Sequence, residues 1–438
     1  MTRAVGFESW GRFPRATQEV RAVRWRTDPF PQVSGKVLPY GLGRSYGDSC
    51  LNDGGTLLAA RGLSRFISFD PATGVLRCEA GVTLAEILDF AVPQGWFLPV
   101  TPGTKFVTLG GAIANDVHGK NHFADGTFGR HVRAFELLRS DGARLLCTPD
   151  KNSDHFRATI GGLGLTGLLT WAEVQLKRIH NPFIEAETIR FGGLEEFYEL
   201  NAASERDYLY TVAWIDILAT GRNLGRGIYF RGNHAAPIPG GMPTLRRPLE
   251  LAVPVDAPGW VLNPTTVRAF NFVIYRKQLR NVKAGITTID PFFYPLDTIH
   301  DWNRIYGKRG FLQWQCVVPM GSGAIGPILA EIARSREGSF LVVLKTFGPL
   351  RSPGMLSFPR PGITLALDFR NRGEPTFSLL DRLDRIVRES GGAIYPAKDA
   401  RMSADTFRRS FPKLDEFRPF VDPAFSSSFW RRVNGDDR

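Results

Sequence analysis

Three glycine-rich stretches crowd the first 170 residues: "PYGLGRSYGDS" (Pro39 to Ser49), "PGTKFVTLGGAIANDVHGKN" (Pro102 to Asn121) and "GGLGLTGLL" (Gly161 to Leu169). Glycine lets the main chain approach a ligand without interference from Cβ, and successive backbone N–H groups in such turns cradle anions. A dinucleotide pyrophosphate needs several of these donors, so three turns in one small domain suit a long cofactor lying in a groove. The third stretch contains G-x-G-x-x-G at Gly162, Gly164 and Gly167. A strand pattern follows it, so it fails the strand-turn-helix context of a Rossmann fingerprint. Taken singly, each stretch reads equally well as a tight turn between strands. The same holds for the polar side chains nearby, Arg44, Ser45, Thr104, Thr108 and Asn115, which either complete a phosphate network or decorate turns.

The 438 residues, 43% of them hydrophobic, predict two domains rather than one. In the first, "GVLRCEA" (Gly74 to Ala80) reads as a strand. Thr83 with Glu86 forms a capping box before Leu84, Ile87, Leu88 and Ala91 at helical spacing. "TGLLTWAEVQLKR" alternates apolar Ala172, Val174 and Leu176 with Glu173, Gln175 and Lys177, the pattern of a half-buried strand. From about Asn181 the chain becomes aromatic-rich and punctuated by proline, which predicts a mostly antiparallel sheet. A loop-like run (Asn233 to Gly259) interrupts it, and a helix with Phe377, Leu380, Leu383 and Val387 on one face follows. The fold class is α+β.

The net charge of +12 asks for an anionic partner. The basic residues are scattered or interleaved with acids, unlike an arm that tracks a nucleic-acid backbone, so nucleic acid is set aside in favour of a phosphate-bearing ligand or lipid headgroup. A solvated basic surface accounts for the charge equally well. No run approaches about 18 apolar residues, and the N-terminus lacks the apolar region of a signal peptide, which places the chain in the cytoplasm. Cys50, Cys78, Cys147 and Cys316 are widely spaced and read as reduced thiols. His118 and His122 have helical H-x-x-x-H spacing, but Gly119 stands where a metalloprotease needs glutamate, so no metal is expected.

"GLGRSYGD", "PVTPGTKFVTLGGAIANDVHGKNH", "GTFGRHV" and "GGLGLTGLL", in this order, resemble the FAD-binding (PCMH-type) domain of the vanillyl-alcohol-oxidase superfamily. "SWGR", "WIDI", "FFYPLDTIHDWNRIYGKRGFLQWQ", "LKTFGP" and "YPAKDARMSADTFRRSFPKLDEF" extend the resemblance, toward the family's sugar oxidases, over nearly the whole chain. It implies an FAD-binding domain over 1–178, a substrate-binding cap over 179–392, and a C-terminal segment, 393–438, that completes the FAD domain. Carried over by motif, the FAD contacts are Gly41, Leu42, Gly43, Arg44, Ser45, Tyr46, Gly47, Gly103, Thr108, Leu109, Gly110, Gly111, Asn115, His118 and Tyr395. Many relatives attach FAD through a histidine of the first loop; here that loop holds Arg44-Ser45-Tyr46, so noncovalent FAD is implied.

Oxidation of an alcohol needs a group that takes the hydroxyl proton and charge to stabilise the reduced ring. Lys398 of "YPAKDAR" matches a lysine on the substrate side of the family's flavin, and Tyr46 is the second catalytic candidate. Tyr294, Gln315 and Lys345 join Lys398 as substrate-binding candidates; on the residues alone they read as a core tyrosine, a sheet-edge amide and a solvated lysine. Ala366 stands where relatives often carry cysteine, and Phe123 where they often carry histidine; both changes affect pocket shape. The implied reaction is oxidation of a secondary alcohol on a furanose-type sugar, polyprenyl-phosphate-linked and handed to a keto-reductase for net epimerisation. That substrate would bring the protein to the inner face of the membrane. An oxidase of a soluble polyol, aldonolactone or natural-product sugar is the alternative.

Overall fold

The protein is described here from a computed structural model covering residues 6–237 and 250–435. The middle of the loop-like run, 238–249, lies outside the described residues. The N-terminal part holds two principal sheets. Strand Thr56–Ala59 lies between Glu19–Ala22 and Val37–Tyr40, parallel to both. A five-stranded antiparallel sheet runs in the order Phe66–Asp70, Val75–Glu79, Leu168–Gln175, Val132–Leu138, Arg144–Cys147.

The local signals act where the sequence put them. Thr83 Oγ1 accepts from the Glu86 N–H at 3.1 Å and Glu86 Oε2 from the Thr83 N–H at 2.7 Å. This reciprocal cap starts helix Leu84–Ala91, which buries Leu84, Ile87, Leu88 and Ala91. The third glycine stretch turns directly into strand Leu168–Gln175, with Gly167 at φ 143° and no room for a side chain against Leu137.

The rest of the chain builds one eight-stranded sheet in which every neighbouring pair is antiparallel: Val282–Thr288, Phe183–Phe191, Gly227–His234, Tyr210–Ile215, Val342–Phe347, Gly362–Arg370, Phe311–Val318, Ala393–Ile394. Its central strands are buried on both faces, so the period-2 alternation of side chains separates two environments. Leu312, Trp314, Cys316, Leu365, Leu367 and Phe369 share a core with helices Ile325–Ser335 and Glu374–Glu389. Gln313, Gln315, Lys345, Thr364 and Asp368 occupy the opposite face.

The C-terminal segment joins both parts. Its strand Ala393–Ile394 pairs with Phe311–Val318, and three residues on, the Ala397 carbonyl accepts from the Tyr46 N–H at 2.8 Å. A Cβ on Gly47 would lie 1.8 Å from the Asp399 carbonyl oxygen, so only glycine allows this approach. Arg432 then clamps the junction, with Nε 2.9 Å from Asp48 Oδ2 and Nη2 within 2.9 Å of Asp48 Oδ1 and Asp399 Oδ2. Both carboxylates are buried, and burial pushes the Asp48 carboxyl above its ordinary range even with the arginine beside it. Removing one partner of such a cluster leaves uncompensated charge, so Arg432→Met should destabilise the fold by about 3–5 kcal/mol. Chemical denaturation checks this, and a midpoint equal to that of the unsubstituted protein contradicts it.

Candidate functional site

Between the first glycine loops and the polar face of the large sheet lies a cavity of about 1140 Å³. It exceeds the roughly 300–1,000 Å³ of ordinary small-molecule sites. The volume suits a long cofactor together with a substrate.

The strand register explains how its inner wall became polar. Gln313 faces Asp368 across the ladder, Gln315 faces Ala366, and Lys345 faces Thr364, so these side chains share one side of three adjacent strands. Gln313 Nε2 donates to Asp368 Oδ1 at 2.6 Å and Tyr306 Oη to Asp368 Oδ2 at 3.1 Å. Asp368 is fully buried, and burial lifts its carboxyl to about 7 against the opposing pull of Lys398 and these two donors. Lys398 presents its accessible surface to the cavity, with Nζ 5.7 Å from the centre of the Tyr46 ring. Burial lowers its ammonium to about 8, and the charge of Asp368 acts in the other direction. Burial and Asp368 both raise the Tyr46 phenol, so it stays protonated.

A second group occupies the wall around the "HGK" segment. Gln315 Nε2 donates to His118 Nε2 at 3.0 Å and to Thr364 Oγ1 at 2.9 Å. Burial, then Lys345 and Lys398, hold the His118 imidazolium far below its usual range, so the ring is neutral. Lys345 Nζ donates to the Gly119 carbonyl at 2.8 Å, and Lys120 Nζ to the Phe292 carbonyl. Burial lowers both lysines, Lys120 to about 7. Among the described residues neither has a carboxylate partner.

Gly41, Leu42, Gly43, Arg44, Ser45, Tyr46, Gly103, Thr108, Gly110, Gly111, Asn115, His118 and Tyr395 all line the cavity, as do Gln315, Lys345 and Lys398. Tyr395 is fixed by its hydroxyl, which donates to the Asn115 carbonyl at 2.9 Å, and by stacking on Phe358. Gly47, Leu109 and Tyr294 fall outside the lining. Gly47 packs against the Asp399 backbone, as described above. Leu109 is wholly buried, and its N–H donates to the Val82 carbonyl while that of Gly110 donates to Ala80, which ties this helix start to the five-stranded sheet. Tyr294 is a core tyrosine one layer behind the wall, its hydroxyl 2.6 Å from Thr101 Oγ1. His122 packs on Phe347, and no group of three His, Cys, Asp or Glu side chains able to hold a metal occurs among the described residues.

Asp368, Gln313 and Lys120 were missed in the sequence reading. Two of them had a visible signal. "FLQWQCVV" and "ITLALDF" place Gln313 and Gln315, and Thr364 and Asp368, at period 2 within otherwise apolar strands. Polar residues on one face of a strand buried on both sides need partners there, and a ligand-facing wall supplies them.

The cavity fits FAD on two observations. His118 Nδ1, Gln315 Oε1 and Gln313 Oε1 are buried without hydrogen-bond partners, which is what a heteroaromatic ring with donors and acceptors along its edge would satisfy. A Cβ on Gly103 would meet nothing within 4 Å, and one on Gly111 only Thr108 Oγ1 at 3.0 Å. Neither glycine has positive φ, and at Gly103 smallness serves neither backbone conformation nor packing. It keeps main chain open to a bound group.

Residues 14–148 match the FAD binding domain family. The chain is 38% identical over 411 residues to the decaprenylphosphoryl-β-D-ribose oxidase of Mycolicibacterium smegmatis, covering 91% of this chain and 89% of that protein. It is 32% identical over 368 residues to an uncharacterized protein of the mprA 5' region in Streptomyces coelicolor, covering 80% of this chain and all of that one. The Δ(24)-sterol reductase of Homo sapiens is 32% identical over 114 residues, 26% of this chain and 22% of the reductase.

Proposed function

The chain belongs to the family of FAD-dependent oxidoreductases that includes decaprenylphosphoryl-β-D-ribose oxidase, and from that premise we propose that it oxidises a secondary alcohol of a furanose-type sugar to a ketone. The observation that carries this reading is the meeting of Lys398 and Tyr46 at a cavity bordered by the glycine loops, with the buried Asp368 charge acting on Lys398 from behind. Bound noncovalently along those loops, FAD supplies the acceptor for the carbinol hydride. Lys398, with its amine partly neutral near pH 8, takes the hydroxyl proton. Loss of that proton and of the C–H hydride leaves the C=O bond. The Asp368 charge holds the resulting ammonium in place, and Gln313 and Tyr306 fix Asp368 in turn. Tyr46, kept protonated, orients the sugar beside Lys398.

Lys120 and Lys345 support an anionic substrate. Burial draws both amines toward the neutral form, and among the described residues no carboxylate opposes it, so a phosphate linking the sugar to a polyprenyl chain would restore their charge and be held by it. The product keto sugar then passes to a reductase for net epimerisation. In this reading the glycine-loop part holds the cofactor and the eight-stranded sheet covers it. Anaerobic mixing with sugars tests the proposal. A polyprenylphosphoryl pentofuranose should bleach the flavin on the order of 100-fold faster than the free pentose, because remote binding energy is used in the reaction. Equal rates with free alditols or aldonolactones would favour a soluble-sugar oxidase, and no bleaching by any sugar would refute sugar oxidation.

A further inference from the structure

Between Asp256 and Asp290 the chain has no acidic side chain and five cations, Arg268, Arg276, Lys277, Arg280 and Lys283. Among the described residues none of the five forms an ion pair. The same segment carries the largest apolar exposure among the described residues: Trp260 is 75% exposed, Phe272 50%, Val273 59% and Leu279 88%. Helix Pro264–Lys277 buries only Val267 and Asn271, so most of its circumference is unpartnered. The Arg276 guanidinium lies 4.6 Å from the centre of the Phe272 ring, which interleaves charge with apolar surface. Strand Val282–Thr288 continues this surface as the open edge of the eight-stranded sheet.

We propose that this segment docks the protein on the anionic face of a lipid bilayer. A segment without acids, its cations interleaved with projecting aromatic and aliphatic side chains and outnumbering Glu185 and Glu187 of the neighbouring strand, is the chemistry of a membrane interface, where apolar groups enter the acyl boundary and cations meet headgroup phosphates. Phe270, Ile274, Lys283 and Ile286 also line the cavity, so the docking face is continuous with the wall of the site. Docked this way, the cavity draws on substrates whose apolar chain stays in the bilayer. The inference goes beyond the sugar-oxidase reading and rests on surface chemistry, so vesicle binding and flavin reduction can fail separately.

Sedimentation of the full chain with vesicles tests it. The protein should pellet with phosphatidylcholine vesicles containing phosphatidylglycerol and stay in solution with phosphatidylcholine alone. The exposed-site variant F272S/V273S/L279S and the charge variant R276E/R280E should each lose at least about tenfold in partition. M320S, which removes an exposed apolar residue elsewhere, should bind as the unsubstituted protein does, and flavin absorbance reports that all variants are folded. Absence of binding to anionic vesicles, as expected if the face serves a protein partner, overturns the proposal. Unimpaired binding by both multiple variants overturns it as well.

Discussion

Lys398→Met is expected to lower kcat by about 10²- to 10⁴-fold, the range over which a positioned acid or base contributes, while FAD content stays at that of the unsubstituted protein. Lys398 faces the cavity and its Nζ lies by Tyr46, so its removal takes away both the proton acceptor and the cation opposite Asp368. The pH profile separates these roles from packing. An unperturbed lysine titrates near 10.4, but burial here outweighs Asp368 and brings Lys398 to about 8. Since the neutral amine accepts the proton, kcat/KM should rise with pH through about 8 and level off above it. Lys398→Met should lose that limb. Single-turnover reduction of the flavin at a series of pH values reads both effects, and a variant that keeps its rate and its limb shows that the proton leaves by another route.

Gly41→Val is expected to leave the protein largely without FAD, with occupancy falling by roughly tenfold or more. A Cβ at residue 41 would lie 2.4 Å from Thr108 Oγ1 and 3.1 Å from Thr108 Cγ2. Thr108 caps the following short helix by accepting from the Gly111 N–H. The added side chain must therefore push the first loop away from the second or break a cap worth about 1 kcal/mol. Both loops line the cavity, so either movement misplaces the main chain that borders the cofactor. Flavin absorbance of the purified variant, and retention of added FAD after gel filtration, measure the loss. A fully yellow Gly41→Val would show that the junction of the two loops is not where the cofactor is gripped.

The parts of the fold legible in the sequence were those governed by short-range rules. The Thr83–Glu86 box, the alternation from Ala172 to Leu176 and the apolar face of Glu374–Glu389 depend on neighbours within a few residues, and each appears where its pattern lies. The sheet expected to be mostly antiparallel has every neighbouring pair antiparallel, although helices such as Ile325–Ser335 and Glu374–Glu389 intervene between its strands. Much of the candidate site followed from glycine spacing joined to family resemblance. What escaped was set by register and layering. Tyr294 and Gln315 looked alike as candidates, yet strand register puts Gln315 on the wall, while Tyr294, at the end of helix Ile289–Phe293, lies behind it.

By itself the sequence determined that three glycine turns would come early and that a family of FAD-dependent oxidoreductases would include the chain. Turn geometry and side-chain period are properties of the local backbone and survive any tertiary arrangement. Only the tertiary structure decided that Gln313 and Tyr306 hold Asp368 where its charge acts on Lys398, and that the C-terminal segment reaches back to Gly47. Those residues are separated by tens to hundreds of positions, and their proximity comes from strand register and from one glycine without a Cβ. The first loop, "PYGLGRSYGDS", carries both kinds of information: its glycines announce a close approach, and the fold determines that Thr108 and Asp399 are what approach it.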